Sequence, residues 1–197
     1  MSTDREPNSA EHDAASRVDP TVLVLMGVSG SGKSTTALEL QRLLGWPFQE
    51  GDDLHPPANV EKMRAGHPLD DGDRRPWLER VATWIDDRLR AGEPGIITCS
   101  NLKRAYRNIT MGRRKGVTLV YLKADETVIG DRLAHRTHRY MPPSLLGSQF
   151  ATLEEPGPDE HALVVMVHST LADTVVELLT RLAERQREPQ GDHLGGA

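Results

Sequence analysis

The residues best equipped for chemistry lie together near the start of the chain: Gly27-Val28-Ser29-Gly30-Ser31-Gly32-Lys33-Ser34, followed by Thr35. Gly27, Gly30 and Gly32 admit backbone torsions that turn successive N–H groups inward, and a helix expected from Lys33 adds the partial positive charge of its N-terminus. The segment therefore forms an anion nest. Lys33 in such a nest neutralises the β- and γ-phosphates of a nucleoside triphosphate, and the Ser34 hydroxyl is placed to ligate the Mg²⁺ that bridges them. An apolar run, TVLVLM at 21–26, precedes the loop and a helical pattern follows it, which is the context a P-loop requires. A ligand-free turn would not need all eight residues and both flanks, and a dinucleotide-binding loop would not carry the Lys-Ser pair. ATP and Mg²⁺ are the expected cofactors, with Val28, Ser29, Ser31 and Thr35 completing the nucleotide contacts.

The second apolar run ends in Gln49-Glu50-Gly51-Asp52-Asp53-Leu54-His55-Pro56. Two carboxylates and an imidazole thus sit at the C-terminal edge of a strand, where ligands of open α/β sheets bind. Asp52 is the expected base for the proton of an attacking hydroxyl, with Asp53 and His55 hydrogen-bonding other hydroxyls. A turn in which Asp52 merely caps the next helix is the alternative.

After the third run comes Ser100-Asn101-Leu102-Lys103-Arg104-Ala105-Tyr106-Arg107. Lys103, Arg104 and Arg107 make a local basic patch suited to a carboxylate or phosphate, and a helix would set Lys103 and Arg107 on one face. A solvated helix face is the bland alternative. Arg132 and Arg136, one turn apart and followed by Pro142-Pro143, read as catalytic arginines of a lid closing over the transferring phosphoryl group; cations decorating a helix end are the alternative. Cys99 reads as a buried apolar residue, and Trp77 and Trp84 as core packing. The histidines at 55, 135, 138 and 161 lack the spacing of a zinc site.

These groups need a scaffold to hold them. Apolar runs at 21–27, 46–50, 95–100, 117–124 and 162–167 alternate with helical patterns at 33–44, 76–89, 103–113, 127–136 and 170–187. Strands that are apolar throughout, with helices between them, predict an α/β three-layer sandwich around a five-stranded parallel sheet. The 197 residues suit one domain at 21–187, with polar tails at 1–20 and 188–197. The net charge of −5 argues against a nucleic-acid or anionic-membrane partner. No apolar run approaches the roughly 20 residues of a membrane span, and a single cysteine fits a reducing compartment, so a cytoplasmic location is expected.

Four segments taken together resemble gluconokinases of the short P-loop type, a family related to shikimate kinase: GVSGSGKST (27–35), EGDDLHPPANVEKMRAGHPL (50–69), CSNLKRAYR (99–107) and MPPSLLGSQFATLEEP (141–156). The resemblance implies a P-loop NTPase fold of the nucleoside and shikimate kinase kind. It also implies phosphorylation of D-gluconate by ATP to 6-phosphogluconate, and a homodimer. By motif, residues 27–34 would bind ATP, Asp52 and His55 fall at the acceptor motif, Lys103, Arg104 and Arg107 in the basic motif, and Gln149 near acceptor or lid. The chain departs from the family pattern at Arg75, Asn101, Gly147 and Met166, where Trp, Ala, Asp and Asp are usual. Two other readings are a kinase of another small hydroxy acid and a nucleotide-binding regulatory module with little turnover.

Overall fold

A computed structural model describes residues 21–125 and 146–187. In chain order the elements are β1 (Val22–Met26), α1 (Lys33–Leu44), β2 (Phe48–Gln49), a 3₁₀ turn at Gly51–Leu54, α2 (Pro57–Arg64), α3 (Asp71–Ala91), β3 (Gly95–Thr98), α4 (Arg104–Thr110), β4 (Val117–Lys123), α5 (Leu146–Thr152), β5 (Leu163–Met166) and α6 (Leu171–Arg187). All strand pairs are parallel, in the order β2-β3-β1-β4-β5. The expected three-layer α/β sandwich is what the chain adopts.

Strand β1 shows why its sequence is apolar without alternation. Val22, Val24 and Met26 pack against Trp77, Leu78, Val81 and Ile85 of α3 and Tyr106 of α4, while Leu23 and Leu25 pack against Ala37 and Leu40 of α1 and Val175 and Leu178 of α6. Successive side chains point to opposite faces, and both faces are covered by helices. Central β1 therefore delivers the loop after Met26 to the middle of the sheet's C-terminal edge.

Helix α3 begins five residues before the expected start at Pro76. Proline favours the first helical turn, which is why the sequence reads that way. The actual cap is Asp70, whose Oδ1 accepts from the Asp73 N–H at 2.8 Å while Asp73 Oδ2 accepts from the Asp70 N–H at 2.9 Å. Helix α4 is shorter than expected, with Lys103 outside it in extended conformation as the N-cap. Helices α2 and α5 have no counterpart among the expectations. The expected helix at 127–136 and both tails lie outside the described residues. Among the described residues no helix is long and apolar enough to cross a membrane.

Candidate active site

The loop after β1 is backbone-built. Gly27 has φ +144°, and a Cβ there would lie 2.8 Å from both the Leu122 carbonyl oxygen and Ser31 Oγ, so only glycine lets the chain turn here. Lys33, the first residue of α1, folds its ammonium back over the loop, donating to the carbonyls of Gly27 and Val28 at 3.0 Å. Removal from water lowers its pKa, opposed by the carboxylates of Asp52 and Glu50 across the cavity. The Ser29 N–H donates to Gln149 Oε1 at 2.6 Å. A carboxamide oxygen from α5 thereby rests on a loop N–H as an anionic oxygen would.

The opposite wall starts at β2. The Gly51 N–H donates to Thr98 Oγ1 at 3.0 Å, and the Thr98 hydroxyl donates to Glu50. A Cβ on Gly51 would lie 1.9 Å from the Thr98 carbonyl oxygen, so the turn carrying Asp52 packs backbone to backbone on β3. Trp77 Nε1–H donates to the Gly51 carbonyl at 2.7 Å, and the His55 ring stacks on the Trp77 indole with centroids 4.2 Å apart and planes at 17°. Trp77 is thus core packing, as expected, and also the cavity floor. Asp52 opens into the cavity, yet the protein around it depletes water and pushes its pKa up, with the Lys33 charge pulling the other way. Desolvation and the Arg74 charge take His55 down to about 4, so its imidazole is neutral.

The early start of α3 brings two further residues to this wall. Asp71 takes both Lys103 Nζ, at 2.8 and 3.0 Å, and the Tyr106 hydroxyl. Arg74 donates through Nε to the Leu69 carbonyl at 3.3 Å and lies 5.9 Å from the Tyr106 ring. Its two terminal nitrogens carry no hydrogen bond among the described residues. Sequence reasoning missed both; the Asp70 and Asp73 pair, readable as a capping box, was the signal that this turn is helical.

A cavity of about 660 Å³ unites Ser29, Gly30, Gly32, Lys33 and Ser34 with Asp52, Asp53, His55, Arg74, Lys103 and Gln149. Val28 and Ser31 are buried within the loop, and Thr35 follows Ser34 on α1. Arg104 and Arg107 are not brought to the cavity. Arg107 is 2% exposed; its guanidinium grips Glu160 at 2.6 and 2.8 Å and donates to the carbonyls of Asn101, Leu102 and Glu154. Arg104 pairs with Asp159 on the outer surface. Lys103 and Arg107 do not share a face, because Lys103 precedes the helix. Arg132 and Arg136 lie outside the described residues.

The departures from the family pattern stand away from the cavity lining. Asn101 is buried at φ +46°, a left-handed conformation that asparagine tolerates far better than alanine, and its Oδ1 accepts from Thr110. Arg75 pairs with Glu79 on the outside of α3, Met166 is exposed at the end of β5, and a Cβ at Gly147 would meet nothing within 4 Å among the described residues. Buried Cys99 has its thiol pushed up to about 12 by desolvation, which leaves it unreactive.

The residues present fit a magnesium nucleotide. Loop N–H groups, Lys33 and the α1 N-terminus supply the anion site, and Ser34 lines the same cavity. Among the described residues no group of three acidic, His or Cys ligands could hold a metal.

A family profile described as an AAA domain matches residues 22–156. A gluconokinase of Gluconobacter oxydans (strain 621H) is 47% identical over 171 residues, covering 87% of this chain and 96% of the relative. The chain belongs to the gluconokinase family. A crystal structure of a gluconokinase from Sinorhizobium meliloti 1021 is similar at 44% identity and a TM-score of 0.73, covering 86% of this chain and 95% of that one. Shikimate kinase from Aquifex aeolicus vf5, at 19% identity and a TM-score of 0.52 over 84% of this chain and 98% of that one, shares the fold alone. The parallel sheet and its nucleotide loop are those of a P-loop kinase.

Proposed function

We propose that this protein transfers the γ-phosphoryl group of ATP to the 6-hydroxyl of D-gluconate. The observation that carries the reading is the cavity in which Lys33 and the loop N–H groups face Asp52 and the Arg74 guanidinium. Two terminal nitrogens without partners among the described residues suit a carboxylate held bidentately, with Lys103 as a second cation at the rim. Asp53 and His55 are near enough to meet hydroxyls, and relatives named gluconokinase support a sugar acid as their source.

In the step itself the acceptor oxygen bonds to the γ-phosphorus, the bond to the bridging oxygen of ADP breaks, and the proton passes to Asp52. The raised pKa of Asp52 improves it as a proton acceptor near neutral pH. Lys33 meets charge on the phosphoryl oxygens, and Ser34 would help hold a Mg²⁺ on the phosphates, which would supply further neutralisation. We assign Gln149 to holding α5 against the nucleotide loop, and Arg132 and Arg136 to a lid. Arg104 and Arg107 are assigned to the frame behind Lys103. A kinase domain at 21–187, a cytoplasmic location and a homodimer belong to the same reading.

Asp52→Asn tests it. Turnover should fall by roughly 10²–10⁴, the usual contribution of a general base, while ATP binding by titration calorimetry stays unchanged. Unchanged turnover would favour a nucleotide-binding module with a structural Asp52.

A further inference from the structure

The wall of the cavity contains a hydrogen-bond chain that fixes where His55 carries its proton. Asn59, buried on α2, places its Nδ2 2.8 Å from the Asp73 carbonyl oxygen and 3.3 Å from His55 Nδ1. A carbonyl oxygen only accepts, so the carboxamide end beside Asp73 must be its NH₂ group. That same NH₂ group only donates, so the His55 Nδ1 beside it must present a lone pair. A neutral imidazole with an unprotonated Nδ1 carries its proton on Nε2. Nε2 makes no hydrogen bond among the described residues, and the ring lines the cavity. The stacked Trp77, tied through its own N–H to Gly51, sets the plane of the ring relative to the turn that carries Asp52.

We propose that Asn59 and Trp77 are positioning residues that hold His55 as a fixed Nε2–H donor to an oxygen of the sugar acid. A ring so protonated cannot take the proton of the attacking hydroxyl, which leaves that task to Asp52. It also cannot readily become imidazolium, because a second N–H at Nδ1 would point at the Asn59 NH₂ group. The low pKa of the ring agrees with this geometry. The proposal rests on the gluconokinase reading only for the identity of the acceptor.

The test has two arms. In protein labelled with ¹⁵N-histidine and free of ligand, long-range ¹H–¹⁵N correlation should give His55 a pyridine-type Nδ1 and a pyrrole-type Nε2; Asn59→Asp, whose carboxylate accepts from Nδ1–H, should move the ring away from that form. In steady-state kinetics His55→Gln, which keeps an N–H near the Nε2 position, should hold KM for D-gluconate within about threefold. His55→Asn, which reaches only the Nδ1 position, should raise it by about tenfold, the loss of one hydrogen bond, with KM for ATP unchanged in both. A pyridine-type Nε2 in the wild type, or equal losses in the two variants, would overturn the proposal. Should the wild type not turn over gluconate at all, the acceptor assignment fails, while the spectrum of the unliganded protein still decides the tautomer.

Discussion

The nucleotide cradle and the acceptor wall face each other across one cavity and are built by opposite means. The cradle is one run of neighbouring residues whose working groups are mostly backbone N–H, shaped by glycines and crowned by Lys33. The wall is drawn from separate segments, and its groups are side chains held by other side chains: His55 by Asn59 and Trp77, Lys103 and Tyr106 by Asp71. A backbone nest recognises any phosphate chain, whereas a wall of mutually pinned side chains recognises a shape. Changes in the cradle should therefore cost turnover with every acceptor, and changes in the wall should cost the fit of one.

The largest effect is expected from Lys33→Ala. Electrostatic stabilisation dominates phosphoryl transfer, so kcat should drop by roughly 10²–10³ with any acceptor and with an unchanged melting curve. A loss seen with gluconate alone would break the distinction between cradle and wall. Next comes Gly51→Ala, where the new methyl would meet the Thr98 carbonyl and displace the turn carrying Asp52. Misplacing a catalytic group by an ångström costs about 10²-fold, so kcat should fall that far while ATP affinity stays within about twofold.

Arg74→Ala sharpens the comparison from the wall side. It should raise KM for gluconate by about tenfold to a hundredfold, in line with one charge-assisted hydrogen-bonded contact to a carboxylate, and leave KM for ATP alone. A pH profile adds a sign. In the proposed reaction Asp52 accepts a proton and its pKa is raised, so kcat/KM should fall as pH drops through a value above the ordinary aspartate range. That limb should vanish in Asp52→Asn.

The smallest effect on turnover, and a large one on stability, is expected from Glu160→Gln. It takes away the only carboxylate paired with the buried Arg107 guanidinium among the described residues, a loss of about 3–5 kcal/mol by urea unfolding. The Glu160 pKa is held below its ordinary value of 4.5, first of all by the hydrogen bond from Arg107. Its contribution to stability is therefore full above that value and lost as pH falls through the depressed one. The variant should lack this part of the acid sensitivity.

The same contrast governs what could be read from the sequence. The cradle was legible because its residues are contiguous and its flanks announce strand and helix; the helix from Lys33 to Leu44 is as expected. The position of Asp52 and His55 on the cavity wall was legible for the same reason. Arg74 was hidden because Pro76 drew the start of α3 past the turn that carries it, although Asp70 and Asp73 mark the cap. Arg107 was misread because its partner, Glu160, lies 53 positions away, beyond any local pattern. Asn59 looked like one polar residue among many. Its meaning lies in a contact with His55, four residues back, joined to one with the Asp73 carbonyl of α3, and the second is made only in the folded chain.

The most direct test of the whole account is coupled ATP turnover by the purified protein with Mg²⁺, comparing D-gluconate, shikimate, other aldonates and no acceptor. The account predicts ADP release that depends on D-gluconate and exceeds every other arm by at least about tenfold, equivalent to about 1.4 kcal/mol of discrimination by the wall. Equal release with shikimate, or release that ignores the acceptor, would contradict it.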